Sequence, residues 1–234
     1  MVIFDIETIP RVKLSEKLLL FRQKDLDYKD LKVGNLKDPE KILAKQQEIY
    51  NHNEELKRTF RSDDAKDIDY AQPILIGCKY DIKDEGGDWY TKTEIIEGGQ
   101  EDGSTITEAE MVEDFMNIID STQPPYVGFN ILGYDIPILK RSCIINGIKF
   151  SQALRYKENI VDLYQVLKDV FQYQPKKLIV YAMLFGFDVD LEIADARKIF
   201  EWYADGNENL YKHLNQDLEL TERIYYQLRE ASIL

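Results

Sequence analysis

The first ten residues, MVIFDIETIP, restrict the possible folds more than any other stretch of the chain. The apolar residues Val2, Phe4 and Ile6 alternate with Ile3, Asp5 and Glu7, which predicts a strand. Successive strand side chains point to opposite faces, so the two carboxylates emerge together at the end of an apolar strand, where they repel each other and are partly desolvated. The pair predicts either a site for Mg²⁺ or Mn²⁺ or two solvated acids at a strand end.

The composition limits the class of protein. The chain has 234 residues, of which 44% are hydrophobic, enough for one large domain. No apolar run approaches the about 18 residues of a membrane span, and no basic flank precedes the N-terminal apolar stretch, so we expect neither a membrane anchor nor a signal peptide. The two cysteines, Cys78 and Cys143, do not form a disulfide framework. A soluble protein in a reducing cytoplasm is therefore expected.

The net charge of −13 bears on possible partners. Broad electrostatic binding of nucleic acid requires Lys and Arg over the phosphates, and this balance argues against it. An enzyme that holds only a few terminal nucleotides through metal ions is compatible with an acidic surface. Acidic charge also keeps a protein soluble, which is the simpler explanation.

Residues 11–70 differ in composition from the rest of the chain, because Lys, Glu, Asp, Asn and Gln dominate them. We predict a weak helix over 13–30, a loop over 31–38 and a long charged helix over 39–61 that opens on Pro39. The segment is either a solvated helical hairpin or an arm that contacts substrate. We interpret residues 1–234 as a single domain in which 11–70 is a helical insertion after the first strand.

Further strands are predicted at 72–81, 88–96 and 126–129, the first two joined by a turn at Gly86-Gly87. One helix is predicted after the cap residue Thr107, and Val161-Asp162-Leu163-Tyr164 leads into another that ends at about Phe171. Further helices are predicted over 177–185, 192–203 and 210–231. The Gly-rich loop from Gly98 to Gly103 lacks the pattern of a phosphate-binding loop, so no chemistry is assigned to it.

A second acidic position follows the strand at 126–129. Residues 130–139 turn from strand to helix, and Asp135 lies near the start of that helix. An acid in a first helical turn is favoured by the helix dipole and needs no function. Asp135 is therefore either an ordinary helix-start acid or a further carboxylate of a site.

A third acidic position lies in the last predicted helix. One apolar face is formed by residues spaced 4, 3, 4, 3 and 4 apart: Leu210, Leu214, Asp217, Thr221, Ile224 and Leu228. A carboxylate within an apolar stripe needs a partner or a metal ion. His213 lies one turn before Asp217 on nearly the same face. The two form either a structural hydrogen-bonded pair or part of a catalytic site.

Together, these stretches resemble the motifs of the DEDD superfamily of 3′–5′ exonucleases. Phe4-Asp5-Ile6-Glu7-Thr8 resembles the first motif, Phe129-Asn130 followed by Tyr134-Asp135 the second, and His213-x-x-x-Asp217 the third. Val161-Asp162-Leu163-Tyr164 and Trp202 also resemble the linking region in the proofreading exonuclease domain of family B DNA polymerases. The resemblance covers residues 1–10 and about 72–230, while 11–70 resembles insertions in stand-alone phage and archaeal-virus members.

The resemblance implies an α/β, ribonuclease H-like fold with a mixed five-stranded sheet flanked by helices. It also implies phosphodiester hydrolysis with two divalent metal ions, Mg²⁺ or Mn²⁺. The implied metal ligands are Asp5, Glu7, Asp135 and Asp217. Asp5 bridges both ions in this scheme, while Asp135 serves the second ion. The implied contacts to the terminal sugar and base are Thr8, Ile9, Asn130 and Tyr134.

The third motif departs from the family pattern. The proofreading subgroup has a Tyr four positions before the Asp, and a second subgroup has a His five positions before it. Here a His stands at the four-residue spacing, and Tyr211 fits neither pattern. We favour His213 as the residue that orients or deprotonates the attacking water, because a neutral imidazole accepts a proton near pH 7.

The expected substrate is the 3′ end of a nucleic acid, with DNA favoured over RNA and a single strand over a duplex end, and the expected products are nucleoside 5′-monophosphates. A separate polymerase or another replication and repair protein is a possible partner; for a viral protein the compartment is the host cytoplasm. Two alternatives stay open. One is a structure-specific endonuclease or ribonuclease on the same fold. The other is a catalytically silent module that binds nucleic acid or a protein partner.

Overall fold

The computed structural model describes residues 1–11, 38–49, 51, 71–84, 86–98, 106–171 and 176–234. The chain divides into two compact units, one of Met1–Thr8 with Pro73–Leu234 and one of Ile9–Gln72. In the smaller unit, helix α1 spans residues 39–49, and the Asp38 side chain accepts a hydrogen bond from the Glu40 backbone N–H at 3.1 Å. Such a cap stabilises the first helical turn. The helix predicted over 13–30 and the loop beyond Gly98 lie outside the described residues, as does most of the predicted helix beyond residue 49.

A five-stranded sheet forms the centre of the fold, in the order β3-β2-β1-β4-β5. The strands are β1 (Val2–Pro10), β2 (Ala71–Lys83), β3 (Trp89–Glu97), β4 (Tyr126–Gly128) and β5 (Ile160–Asp162). Strand β4 runs parallel to both β1 and β5, whereas β2 and β3 are antiparallel. The predicted α/β class with a mixed five-stranded sheet is confirmed.

Six helices of the larger unit accompany the sheet in its described part. They are α2 (Glu108–Ser121), α3 (Asp135–Asn146), α4 (Leu163–Phe171), α5 (Leu178–Leu184), α6 (Ile199–Ala204) and α7 (Asn209–Glu230). Helix α2 begins with a capping box in which Thr107 and Glu110 satisfy each other's backbone N–H groups. Among the described helices, none combines the length and the apolar character that crossing a bilayer requires.

The two faces of the sheet carry different partners. Val2, Phe4 and Ile6 of β1 belong to a buried core with residues of α2 and α3, which include Phe115 and Leu139. Helix α7 approaches the opposite face, where a Cβ on Gly77 of β2 would lie 2.8 Å from Leu218 of that helix. Because the strand alternates, Ile3, Asp5 and Glu7 of β1 face α7.

Two elements differ from their predicted bounds. Strand β1 continues to Pro10, so Asp5 and Glu7 lie within the strand and not at its end; as the central strand it has neighbours on both sides. The helix predicted over 192–203 begins only after Asp195, whose side chain caps a 3₁₀ turn, Ala196–Lys198, by accepting a hydrogen bond from the Arg197 N–H. Helix α6 follows that turn.

Candidate active site

Strand β1 supplies two of the predicted acids. Glu7 is 5% exposed and Asp5 is half-buried. Both occupy odd positions and face α7, as the alternation of the strand predicts. The sequence pattern alone was sufficient to place these two carboxylates on one face.

Helix α7 supplies two further predicted site residues, His213 and Asp217. The Nε2 atom of His213 lies 3.3 Å from Oε1 of Glu7 and 3.9 Å from Oδ2 of Asp217. His213 and Asp217 are four residues apart, so one helical turn brings both side chains to the same side of α7. The imidazole is 3% exposed, which places it inside the protein between the helix and the sheet.

A hydrogen bond at the other ring nitrogen of His213 determines which nitrogen carries the proton. Nδ1 lies 2.7 Å from the backbone carbonyl oxygen of Ile193. A carbonyl only accepts, so Nδ1 donates and carries the proton, and in the neutral ring the lone pair of Nε2 faces Glu7 and Asp217. Trp202 packs beside the imidazole with ring centroids 6.0 Å apart. Burial lowers the pKa of His213, against the opposing effect of Asp5.

Helix α3 supplies the remaining acid. Asp135 is its first residue and is 2% exposed. Beside it, the hydroxyl of Tyr134 lies 2.6 Å from Oγ1 of Thr8. This hydrogen bond joins the start of α3 to β1 next to Glu7.

The electrostatics show that the four acids lie close together. Burial raises the pKa of each of them first, to about 7 for Asp5 and for Asp217. Repulsion from neighbouring acids adds to the shift: Asp217 acts on Asp5, and Asp5 acts on both Glu7 and Asp135. The pKa values of Glu7 and Asp135 are raised well above the ordinary carboxyl range. Without a counter-charge the site therefore retains protons at neutral pH.

Two carboxylate oxygens of this site lack a hydrogen-bond partner. Oδ1 of Asp135 and Oδ1 of Asp217 are buried without a hydrogen-bond partner in the part of the chain that the structure describes. Unpaired buried carboxylate oxygens are costly, and Mg²⁺ and Mn²⁺ prefer such oxygen donors. The donor set fits divalent cations by this chemistry, although within the described residues no group of three or more His, Cys, Asp or Glu side chains is already arranged to hold an ion.

The structure also describes the remaining residues that the sequence analysis singled out. Asn130 begins the loop that leads to Tyr134 and has a left-handed backbone, φ 64°. Ile9 is buried within β1 and belongs to the smaller unit. The Tyr211 hydroxyl donates a hydrogen bond to Glu97 at 2.6 Å, which is not one of the predicted site acids. The structure brings Asp5, Glu7, Asp135, His213 and Asp217 together; their chemical roles stay predictions.

Sequence reasoning assigned no role to two groups that support the site. One is the carbonyl of Ile193, which no side-chain pattern could reveal. The other is the carboxylate of Asp162, which accepts hydrogen bonds from the backbone N–H groups of Asn130 and Leu132 at 2.9 and 3.0 Å. An Asp directly before a predicted helix is a capping signal that could have drawn attention to it.

Comparison with known proteins adds one finding. A family model described as a predicted 3′–5′ exonuclease related to the exonuclease domain of PolB matches residues 87–218, more than half of the chain. The matched range includes Asp135, His213 and Asp217, and it begins after the strand that carries Asp5 and Glu7. Comparison with curated proteins gives no match to this chain.

Proposed function

We propose a metal-dependent 3′–5′ exonuclease from one premise: this chain belongs to the family of predicted 3′–5′ exonucleases related to the exonuclease domain of PolB. In this proposal the protein removes nucleoside 5′-monophosphates from the 3′ end of single-stranded DNA. The observation that carries it is the convergence of buried acids from β1, α3 and α7, two of which have unpaired oxygens. Such an arrangement costs stability unless cations bind there.

The four acids would hold two divalent cations: Asp5, Glu7, Asp135 and Asp217. When bound, the ions supply Lewis-acid stabilisation of the phosphodiester and lower the pKa of the attacking water. A role for Asp5 in both halves of the site is supported by its repulsion with two other acids: Asp217 raises the pKa of Asp5, and Asp5 raises the pKa of Asp135. Glu7 and Asp217 are the acids next to His213, with oxygens 3.3 and 3.9 Å from its Nε2 atom.

His213 orients or deprotonates the attacking water in this proposal. The Ile193 carbonyl holds the proton on Nδ1, which leaves Nε2 as the acceptor toward the acids. The lowered pKa of the buried ring keeps it neutral and able to accept a proton near pH 7.

The substrate class is supported by charge and by family. A protein with a net charge of −13 is better suited to bind a short single-stranded end than a long nucleic acid with many phosphate contacts. The relation to the exonuclease domain of PolB supports DNA over RNA. Thr8 and Tyr134 lie next to the acids Glu7 and Asp135 in sequence and are hydrogen-bonded to each other. With Asn130 they are the proposed contacts to the terminal nucleotide. A separate polymerase or repair protein is the proposed partner.

The test uses 5′-labelled single-stranded DNA and a matching RNA, each with Mg²⁺, Mn²⁺ or EDTA. We expect a metal-dependent ladder that shortens from the 3′ end, absent in Asp5→Ala and retained in Asp114→Ala, which removes an exposed acid of α2. An uncut oligomer in every metal would contradict the exonuclease. Cleavage of a circular single strand would then identify an endonuclease, and binding without cleavage a silent module.

A further inference from the structure

Asp162 is a buried acid outside the proposed catalytic set. It ends β5, opposite Gly128 of β4, and is 3% exposed. Its carboxylate accepts three backbone N–H groups: Oδ1 from Asn130 and Tyr164 at 2.9 and 3.0 Å, and Oδ2 from Leu132 at 3.0 Å. One side chain thus ties the loop after β4 to the start of α4.

The loop that Asp162 holds is tightly wound. Asn130 adopts φ 64°, in the left-handed region that most residues with a side chain avoid and that Asn tolerates better than most. Its carbonyl accepts the N–H groups of Gly133 and Tyr134, both at 3.0 Å. A Cβ on Gly133 would lie 2.5 Å from Oδ1 of Asn130. A backbone of this kind persists only where the surrounding structure holds it.

The end of this loop enters the candidate site. Tyr134 reaches Thr8, and Asp135 brings an unpaired carboxylate oxygen toward Asp5. We propose that Asp162 is a positioning residue that holds the loop of residues 130–134, so that Asp135 and Tyr134 are presented to the cations and the terminal nucleotide. The kinetic part of this inference rests on the proposed function; the structural and metal-binding parts do not depend on turnover.

The carboxylate is needed because both of its oxygens accept. In Asp162→Asn the volume is unchanged, but one oxygen becomes an NH₂ group that faces an N–H donor, either at Leu132 or at Asn130 and Tyr164. The variant therefore releases part of the loop without opening a cavity. A matched control is Glu108→Gln, which makes the same chemical change in a buried acid that is hydrogen-bonded to Ser142.

The experiment compares both variants with wild type by Mn²⁺ titration, followed by electron paramagnetic resonance, and by kinetics. We expect Asp162→Asn to weaken Mn²⁺ binding by about 10-fold or more. We expect kcat to fall about 100-fold, as for a misplaced catalytic group, and KM for the oligonucleotide to rise as well, because Tyr134 is displaced together with Asp135. Excess Mn²⁺ should restore part of the activity of Asp162→Asn and none of that of Asp5→Ala. Glu108→Gln should match wild type in both assays.

Wild-type Mn²⁺ affinity and kcat in a folded Asp162→Asn would overturn the inference. If that variant does not fold, hydrogen exchange on the wild-type protein decides. The Asn130 and Leu132 amides should exchange slowly although they lie outside helices and strands, and exchange at the rate of an open loop would overturn it. If the wild type itself binds Mn²⁺ but cuts no substrate, the proposed function fails, and the effect of Asp162→Asn on Mn²⁺ affinity alone decides the inference.

Discussion

Nε2 of His213 lies 3.3 Å from Oε1 of Glu7, although the two residues come from opposite ends of the chain. The proton of the neutral imidazole is on the other nitrogen, since Nδ1 donates to the Ile193 carbonyl. A lone pair and a carboxylate at this distance repel each other unless a proton or a cation lies between them. The contact therefore predicts that this part of the site changes with metal and with pH.

The tautomer of His213 can be observed directly. The chain has two histidines, so ¹H–¹⁵N correlation spectra of the imidazoles are simple to assign with a His52→Gln variant. We expect the Nδ1–H form of His213 near pH 7, because the Ile193 carbonyl accepts from that nitrogen and burial lowers the pKa of the ring. A spectrum with the proton on Nε2 would contradict the arrangement.

His213→Gln should lower kcat strongly. Loss of a general base typically costs about 10²- to 10⁴-fold in rate, because the attacking water keeps its proton. The measurement is single-turnover cleavage of single-stranded DNA in saturating Mn²⁺. Tyr211→Phe is the control, since the Tyr211 hydroxyl is bonded to Glu97, and it should retain activity. An active His213→Gln enzyme would leave the water to be activated by the cations alone.

Divalent cations should stabilise the fold. The unpaired oxygens of Asp135 and Asp217 and the repulsion among the acids are relieved when cations bind the native state only. At about 100 times the dissociation constant this contributes about 2.7 kcal/mol, which corresponds to a rise in Tm of about 5–10 °C for a protein of this size. Thermal unfolding with Mg²⁺, Mn²⁺ or EDTA measures it. Asp217→Asn should show a smaller rise, and no rise in wild type at millimolar metal would count against the site.

The metal-free protein should lose stability as the pH rises. The pKa of Asp5 and of Asp217 is raised from the ordinary value of 3.8 to about 7 in the folded state, mainly by burial. The folded state then binds more protons than the unfolded state, so the stabilisation is complete below about pH 4 and is lost as the pH rises through about 7. Urea denaturation in EDTA should give a free energy of unfolding that falls between about pH 5 and pH 8. The double variant Asp5→Asn with Asp217→Asn should flatten the profile; a wild-type profile that rises over this range would contradict the raised pKa values.

Tyr134→Phe should separate stability from substrate contact. It removes the hydrogen bond between the Tyr134 hydroxyl and Thr8, at a cost of about 1 kcal/mol in the free energy of unfolding. If the pair also contacts the terminal nucleotide, KM for DNA should rise more than kcat falls. A double-mutant cycle with Thr8→Val isolates the pair, and additive effects of the two changes on KM would show that they do not act together.

The sequence was sufficient where the signal is local and periodic. Alternation in the first strand placed Asp5 and Glu7 on one face, and the four-residue spacing placed His213 beside Asp217 on α7. Both patterns follow from the geometry of a single element. The structure adds that the two elements face each other, as the Glu7–His213 contact shows.

Groups that act through the backbone could not be predicted. Asp162 bonds to N–H groups about thirty residues earlier in the chain, and Ile193 contributes a carbonyl oxygen. Neither side-chain type nor spacing carries that information, because every residue has the same backbone groups. The continuation of β1 past Glu7 was also missed, since strand ends depend on neighbouring strands that the local pattern does not contain.

The parallel pairing of β1, β4 and β5 has a kinetic consequence. Ile3 pairs with Val127, and Val127 with Val161, so the acids of β1 meet the loop after β4 only when segments distant in the chain have closed on each other. Such contacts form slowly because the intervening chain must first be ordered. If the site forms after the rate-limiting step, cations bound there do not accelerate folding. They slow the unfolding of the native protein and so lengthen its lifetime.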